Sequence, residues 1–301
     1  MQPDPPTAED LADRADAPPP PLAAHLYAPW WRVIAATLFA ISRANLPAML
    51  LAILLPRSRP ITPVPFFRTI VLFSVLPALG AWLVARGMRA TVTMQNGQLV
   101  VARVGLRLEI PTSAVARVAA WRVPLPGPGF SLVTSSGGRL RHGVQASDPV
   151  PLLLALSERG GIAAARAAVD HPTMVYAHAK AAAGAWRWYH LMAKFPLFAL
   201  APTAVLFNAH QHIAYGGPLG EYYLYGLGAY LETFAIYWAT VTTYCVLYAS
   251  VWRGLAEGVA LLAAHVAPSR AARVRRAAEI ACRVLYYGGV PVLVALRFAP
   301  W

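Results

Sequence analysis

The chain has 301 residues, 57% of them hydrophobic and only 13% charged, with a net charge of +13 and mean hydropathy +0.48. Soluble domains carry about 25% charged residues, so half that value with long apolar runs marks an α-helical integral membrane protein. The positive charge then belongs to cytoplasmic loops and anionic headgroups, and nucleic acid is excluded as a partner because no basic motif with interleaved stacking aromatics stands outside the apolar runs.

Residues 1–28 open with Asp4, Glu9, Asp10, Asp13 and Asp16 and with prolines 18 to 21. They lack a basic n-region, and they predict a disordered leader and no signal peptide. Segment 29–88 holds two predicted spans. Trp30–Leu55 begins on an interfacial Trp pair and is interrupted by Arg43, Asn45 and Pro47. Val64–Ala85 closes on Arg86 and Arg89.

Residues 89–159 change character. Thr91–Gln95 alternates as a strand, Asn96-Gly97 signals a hairpin turn, and Leu99–Val104 and Leu106–Ile110 continue as strands. Val115, Val118 and Trp121 keep the apolar pattern, followed by a Pro/Gly loop at 124–129. Phe130–Thr134 and Arg139–Val144 are further strands around the turn Ser135–Gly138, and Asp148-Pro149 reads as the start of a helix through Leu152–Leu156.

This order resembles the bacterial PH-like domain family, a small module found beside transmembrane helices. The resemblance covers about residues 90–159. It rests on the strand-turn pair Thr91–Val101, the run Arg103-Val-Gly-Leu-Arg-Leu-Glu-Ile-Pro, the segment Ala114-Val-Ala-Arg-Val and the closing helix Asp148–Ser157. It implies a partly open β-barrel capped by a helix, in binding, scaffolding or assembly, with no ligand residue to carry over.

Residues 160–188 are Ala-rich and predict one or two connecting helices. Segment 189–301 predicts three spans: His190–Ala214, Tyr222–Val251 and Ile280–Phe298, with an amphipathic continuation to Val266 and a basic loop at 268–283. The loop between spans three and four has no Lys or Arg, whereas the 89–159 module and the 268–283 stretch are basic. The positive-inside rule places those two, and the N-terminus, in the cytoplasm of a bacterial inner membrane with five crossings. Arg57 and Arg59 then fall outside. A re-entrant 30–55 would bring them in but put the module out, against the larger charge count.

Three groups are candidate sites. Arg43 and Glu232 are ionisable residues within spans, and such residues face a partner or cavity; the alternatives are a structural ion pair or a snorkelling Arg. Arg103, Arg107, Arg117, Arg122, Arg139 and Arg141 form a candidate face for anionic lipid or a partner protein, or else a solvated sheet face. His210, His212 and Glu221 gather at the outer end of spans three and four. Histidines at i and i+2 point apart on a helix, so interfacial polarity explains them better than a metal. No motif for catalysis, metal or cofactor is found; Cys245 and Cys282 have no CxxC spacing. The sequence therefore points to a non-catalytic scaffold or assembly factor that docks anionic lipid or a membrane or cytosolic protein partner, the alternative being a transport component with a path along Arg43 and Glu232.

Overall fold

The computed structural model describes residues 21–54, 63–184 and 188–297. The chain divides into a sheet unit, formed by the segments up to 38 and 80–178, and a helical unit, formed by 39–79 and the chain from 179 onward.

The sheet unit contains β1 (Leu22–Tyr27), β2 (Arg89–Gln95), β3 (Gln98–Arg103), β4 (Leu106–Pro111), β5 (Val115–Ala120), β6 (Gly129–Thr134) and β7 (Arg139–Ala146). All pairings are antiparallel, in the order β4-β3-β2-β1-β7-β6-β5. The central strand is therefore β1, which precedes the first apolar helix. This corrects the expected leader of 1–28: Leu22–Tyr27 is a strand, and the residues before 21 lie outside the described ones. It pairs His25 with Arg89 on one side and with Gln145 on the other.

Period-two alternation decides which face is buried. In β2, Ala90, Val92 and Met94 are buried while Arg89, Thr91 and Gln95 are exposed. The hairpin after β2 turns on Asn96 and Gly97, both at positive φ (49° and 69°), the conformation an Asn-Gly pair adopts most cheaply. Leu99, Phe130, Leu132, Leu153 and Leu156 are all at most 2% exposed, and each contributes about 1.5–3 kcal/mol by leaving water.

Three helices close over this apolar face: α4 (Val150–Glu158), α5 (Ala163–Val169) and α6 (Pro172–Ala182). Asp148 Oδ1 accepts the Val150 N–H at 3.1 Å and so starts α4. The Ala-rich segment expected to connect does more than that: Ala165, Ala168 and Met174 belong to the core.

The opposite face carries a second small cluster of Tyr27, Ala35, Met88 and Trp121. Ala35 comes from the first turns of α1 (Pro29–Leu54). Arg32, on the same turns, lays its guanidinium 3.7 Å over the Trp121 ring. Gly129 and Gly143 leave room for that indole; a Cβ on Gly129 would stand 2.7 Å from Trp121 and 2.5 Å from the Val144 carbonyl oxygen. Gly129→Val is expected to destabilise the sheet unit by about 1–3 kcal/mol through overpacking, seen as a lower midpoint in Trp fluorescence melts.

In the helical unit, α1 continues beside a helix built of α2 (Pro63–Ile70), a π turn at Val71–Val75 and α3 (Leu76–Gly87). Pro77 lacks an N–H for the Phe73 carbonyl, which accounts for the widened turn there. Ser42 donates to the Ser74 carbonyl at 2.8 Å and Asn45 donates to the Ser74 hydroxyl at 2.9 Å. Of the interruptions read in the sequence, Asn45 thus ties two apolar helices together, with Ser42 beside it.

α7 (Trp188–Met192), a π turn at Ala193–Leu197 that contains Pro196, and α8 (Phe198–Tyr215) form the next rod. α9 runs from Gly220 to Val266, interrupted at Gly226, whose φ of 84° only glycine tolerates readily. Its 47 residues make it far longer than the roughly 20 needed to cross a bilayer. After a short turn at Pro268–Arg270, α10 occupies Ala271–Arg297. The basic stretch expected as a loop at 268–283 is helical from Ala271 onward. Ala256, Ala260, Ala263, Ala264 and Ala271 are buried where α9 and α10 form an antiparallel hairpin. Among the described residues, five helices are long and apolar enough to cross a membrane.

Candidate functional site

In the sheet unit the six arginines are not one continuous patch. Arg117 on β5 and Arg139 on β7 both stand in register with Val133 of β6, so the three share one face in a row across the strands. Arg141 lies two residues further along β7. Arg141 and Arg103 also flank His142, which is held below the usual histidine range by burial first and then by those two charges. Arg103 is half-buried and donates to the Met88 sulfur at 3.2 Å. Arg107 sits on the edge strand β4 in a solvent-exposed pair with Glu109 at 2.7 Å, and Arg122 is exposed after β5. The coherent part of the predicted face is therefore Arg117, Arg139 and Arg141, with Arg103 beside His142.

His25 in β1 is likewise held low, by burial and then by Arg89. A folded-state pKa below the ordinary 6.5 means that stability is full above pH 6.5 and is lost as pH falls through the folded value. The sheet unit is expected to weaken as the pH falls below the ordinary histidine value of 6.5. The double variant His25→Gln, His142→Gln should flatten that slope in urea melts recorded across the range.

In the helical unit the main polar feature is a charged network, not the predicted pair. Arg275 of α10 is 2% exposed. It donates from Nη1 to Glu257 Oε2 at 3.1 Å and from Nη2 to Glu257 Oε1 at 3.2 Å, the two-pronged geometry that makes Arg–carboxylate pairs strong. Its Nη2 is also 3.0 Å from Glu279 one turn on. Arg253 reaches Glu257 at 2.5 Å and Glu279 at 3.9 Å, and Lys180 from the end of α6 reaches Glu257 at 3.6 Å. The i,i+4 spacing of Arg253 with Glu257 suggests only an exposed helix pair; the hairpin turns Glu257 into the hub of three cations.

Arg43 has its guanidinium 4.7 Å from the Phe39 ring and lies within electrostatic range of Lys180. Glu232 is on an exposed face of α9 and takes part in no ion pair among the described residues. The structure does not join Arg43 to Glu232.

At the other end of the unit, Glu221 is 4% exposed and meets neither histidine. Gln211, between them in sequence, donates to Glu221 Oε2 at 2.6 Å and accepts the Glu221 N–H at 3.2 Å. Thr233 donates to Glu221 Oε1 at 2.6 Å. Gln211 thereby satisfies an open N–H of the first turn of α9, where a carboxylate also suits the helix dipole. His210 packs on Tyr237 and Tyr215, and the Nδ1 of His212 bonds the Asn208 carbonyl of its own helix. Among the described residues no group of three His, Cys, Asp or Glu is placed to hold a metal. Gln211 and Thr233 could be found only through the turn that folds α9 back on α8.

Comparison of the whole chain with protein-family models, with curated proteins and with solved structures finds no match.

Proposed function

We propose that the chain is a multi-pass protein of the bacterial inner membrane whose sheet unit is a PH-like module on the cytoplasmic side. It serves as a non-catalytic scaffold or assembly factor, docking a partner protein or anionic lipid through the basic row. The observation that carries this reading is that β1 precedes the first two apolar helices, β2 follows them, and the two strands are hydrogen-bonded neighbours. The helices between them therefore leave and return to one side, which calls for an even number of crossings before β2. The sheet is held at the bilayer by both α1 and α3, with Arg117, Arg139 and Arg141 exposed.

The seven-strand antiparallel order, with α4 packed over its apolar face, supports the PH-like resemblance. Two apolar helices between β1 and β2, two more around α8 and α9 and one at α10, each long enough to cross a bilayer, support the five-span topology. The loop Gly216–Gly220 carries no Lys or Arg, whereas the sheet side holds Arg86, Arg89 and the basic hairpin, which supports a cytoplasmic sheet. Few residues of each apolar helix are buried within the chain, between 11% and 22% of the most apolar stretch, leaving broad helix surfaces for lipid or partner helices.

The test is to extract the full chain in mild detergent and identify co-purifying proteins and lipids by mass spectrometry. The triple variant Arg117→Glu, Arg139→Glu, Arg141→Glu should lose the defined partner or the anionic lipid while its sheet stays protease-resistant. A wild-type chain that carries neither a defined protein nor an enrichment of anionic over neutral lipid sinks the proposal.

A further inference from the structure

We infer that the sheet edge at β4 pairs with the same edge of a second copy of the chain, antiparallel about a two-fold axis at Leu108. Among the described residues β4 has a strand neighbour on one side only, β3, and it ends the strand order of the sheet. Which of its backbone groups face outward follows from the ladder. Thr112 donates its N–H to the Gly97 carbonyl, and the register pairs Leu99 with Ile110, Val101 with Leu108 and Arg103 with Leu106. Hydrogen-bonded and non-hydrogen-bonded pairs alternate in an antiparallel ladder, so these pairs are the bonded ones. The N–H and C=O groups of Arg107 and Glu109 therefore point away from β3, to the open edge. Pro111 shares that direction and has no N–H, which ends the edge after Ile110.

Charge usually keeps an edge strand from pairing. A single sign there would repel a second copy. β4 instead carries one cation and one anion, Arg107 and Glu109, on its exposed face and at equal distances along the strand from Leu108. Turned about Leu108, each Arg107 stands opposite the Glu109 of the other copy, and each such pair exchanges both of its outward backbone hydrogen bonds. Opposite charges directly across an antiparallel pair are favourable, and like charges are not. On the other face Leu106 meets Ile110 and Leu108 meets Leu108, which carries the apolar side of the sheet across the junction. A single strand pair is smaller than a standard protein interface. The membrane reading above holds both copies at one height and so raises their local concentration, whereas the register rests on the sheet alone.

The experiment is oxidative cross-linking of the full chain in cell membranes. Cα atoms of a non-hydrogen-bonded pair lie about 4.5 Å apart, within reach of a disulfide, so Leu108→Cys is expected to give a covalent dimer. The wild-type chain, with Cys245 and Cys282 alone, should stay monomeric in the same gel. Val104 is 98% exposed at the β3–β4 turn. The two-fold nevertheless sets it about 27 Å from its mate, at about 3.4 Å per residue, so Val104→Cys should not cross-link. Equal cross-linking at the two positions, or none at Leu108→Cys, overturns the pairing. In the Leu108→Cys background, Arg107→Glu or Glu109→Arg puts like charges at both junctions and should weaken the dimer about tenfold. Both side chains are exposed, so the sheet should stay protease-resistant in each variant. Co-expression of the two variants should restore the dimer, because every pair between copies is then of opposite sign while the pair within each chain stays like-charged. A mixture that does not recover overturns the register. Cross-linking that appears only after residues 1–20 are removed gives the edge to that segment and overturns the second-copy assignment. A cross-linked dimer in the soluble fraction would keep the edge and remove the membrane reading.

Discussion

Arg275→Met is expected to lower the stability of the helical unit by about 3–5 kcal/mol, the usual cost of removing one member of a buried ion cluster. The guanidinium contributes two hydrogen bonds to Glu257 and a 3.0 Å contact to Glu279. Without it the two carboxylates lose their buried partner, while among the described residues Arg253 still approaches both and Lys180 approaches Glu257. Thermal or denaturant unfolding of the detergent-solubilised chain reads the loss directly. Because the penalty comes from uncompensated charge, the triple variant Arg275→Met, Glu257→Gln, Glu279→Gln should recover most of it. A single variant within about 1 kcal/mol of wild type would place the network among solvated surface pairs and refute its burial.

Loss of β1 is expected to dismantle the sheet unit although only six residues are involved. β1 pairs with β2 and with β7, so its removal divides the sheet into β4-β3-β2 and β7-β6-β5 and exposes two long edges. It also takes Ala24 and Leu26 from the main core and Tyr27 from the cluster around Trp121. A chain lacking Leu22–Tyr27 should lose protease resistance across residues 89–178 and show a solvent-exposed Trp121. Leu26→Ala gives the milder version, a cost of about 2–5 kcal/mol with the strand retained. Unchanged proteolysis of the deletion would mean that the remaining strands close on themselves without β1.

Local signals account for what was legible in the sequence. The strands read in the sequence, β2, β3, β4, β6 and β7, are set off by turn signals such as Asn96-Gly97 and Gly137, whereas β5, whose apolar Val115 and Val118 stand three apart, reads only as a continued apolar pattern; each apolar helix is long enough to declare itself. β1 has neither advantage. Leu-Ala-Ala-His-Leu-Tyr is short, follows a Pro-rich run and abuts a helix, and its partners lie across two other helices. The charged network was hidden for a related reason. Arg270, Arg273, Arg275 and Arg276 read as one solvated basic stretch, yet Arg275 alone turns inward because the α9–α10 hairpin sets Glu257 opposite it. Gln211 escaped notice because a neutral amide between two histidines draws less attention than its neighbours, although it is the residue that reaches Glu221.

The place of β1 also bears on the order in which the chain is made. β1 leaves the ribosome first, but its partner β2 follows only after the helices of residues 29–87. Contacts so distant in sequence form late, since the intervening chain must close as a loop. In a membrane that closure needs both helices inserted and the chain returned to its starting side. On the proposed topology a completed sheet is thus a record of correct helix insertion: a nascent chain whose first hairpin inserted wrongly would keep β1 and β2 apart and display unpaired strand edges to proteases and chaperones.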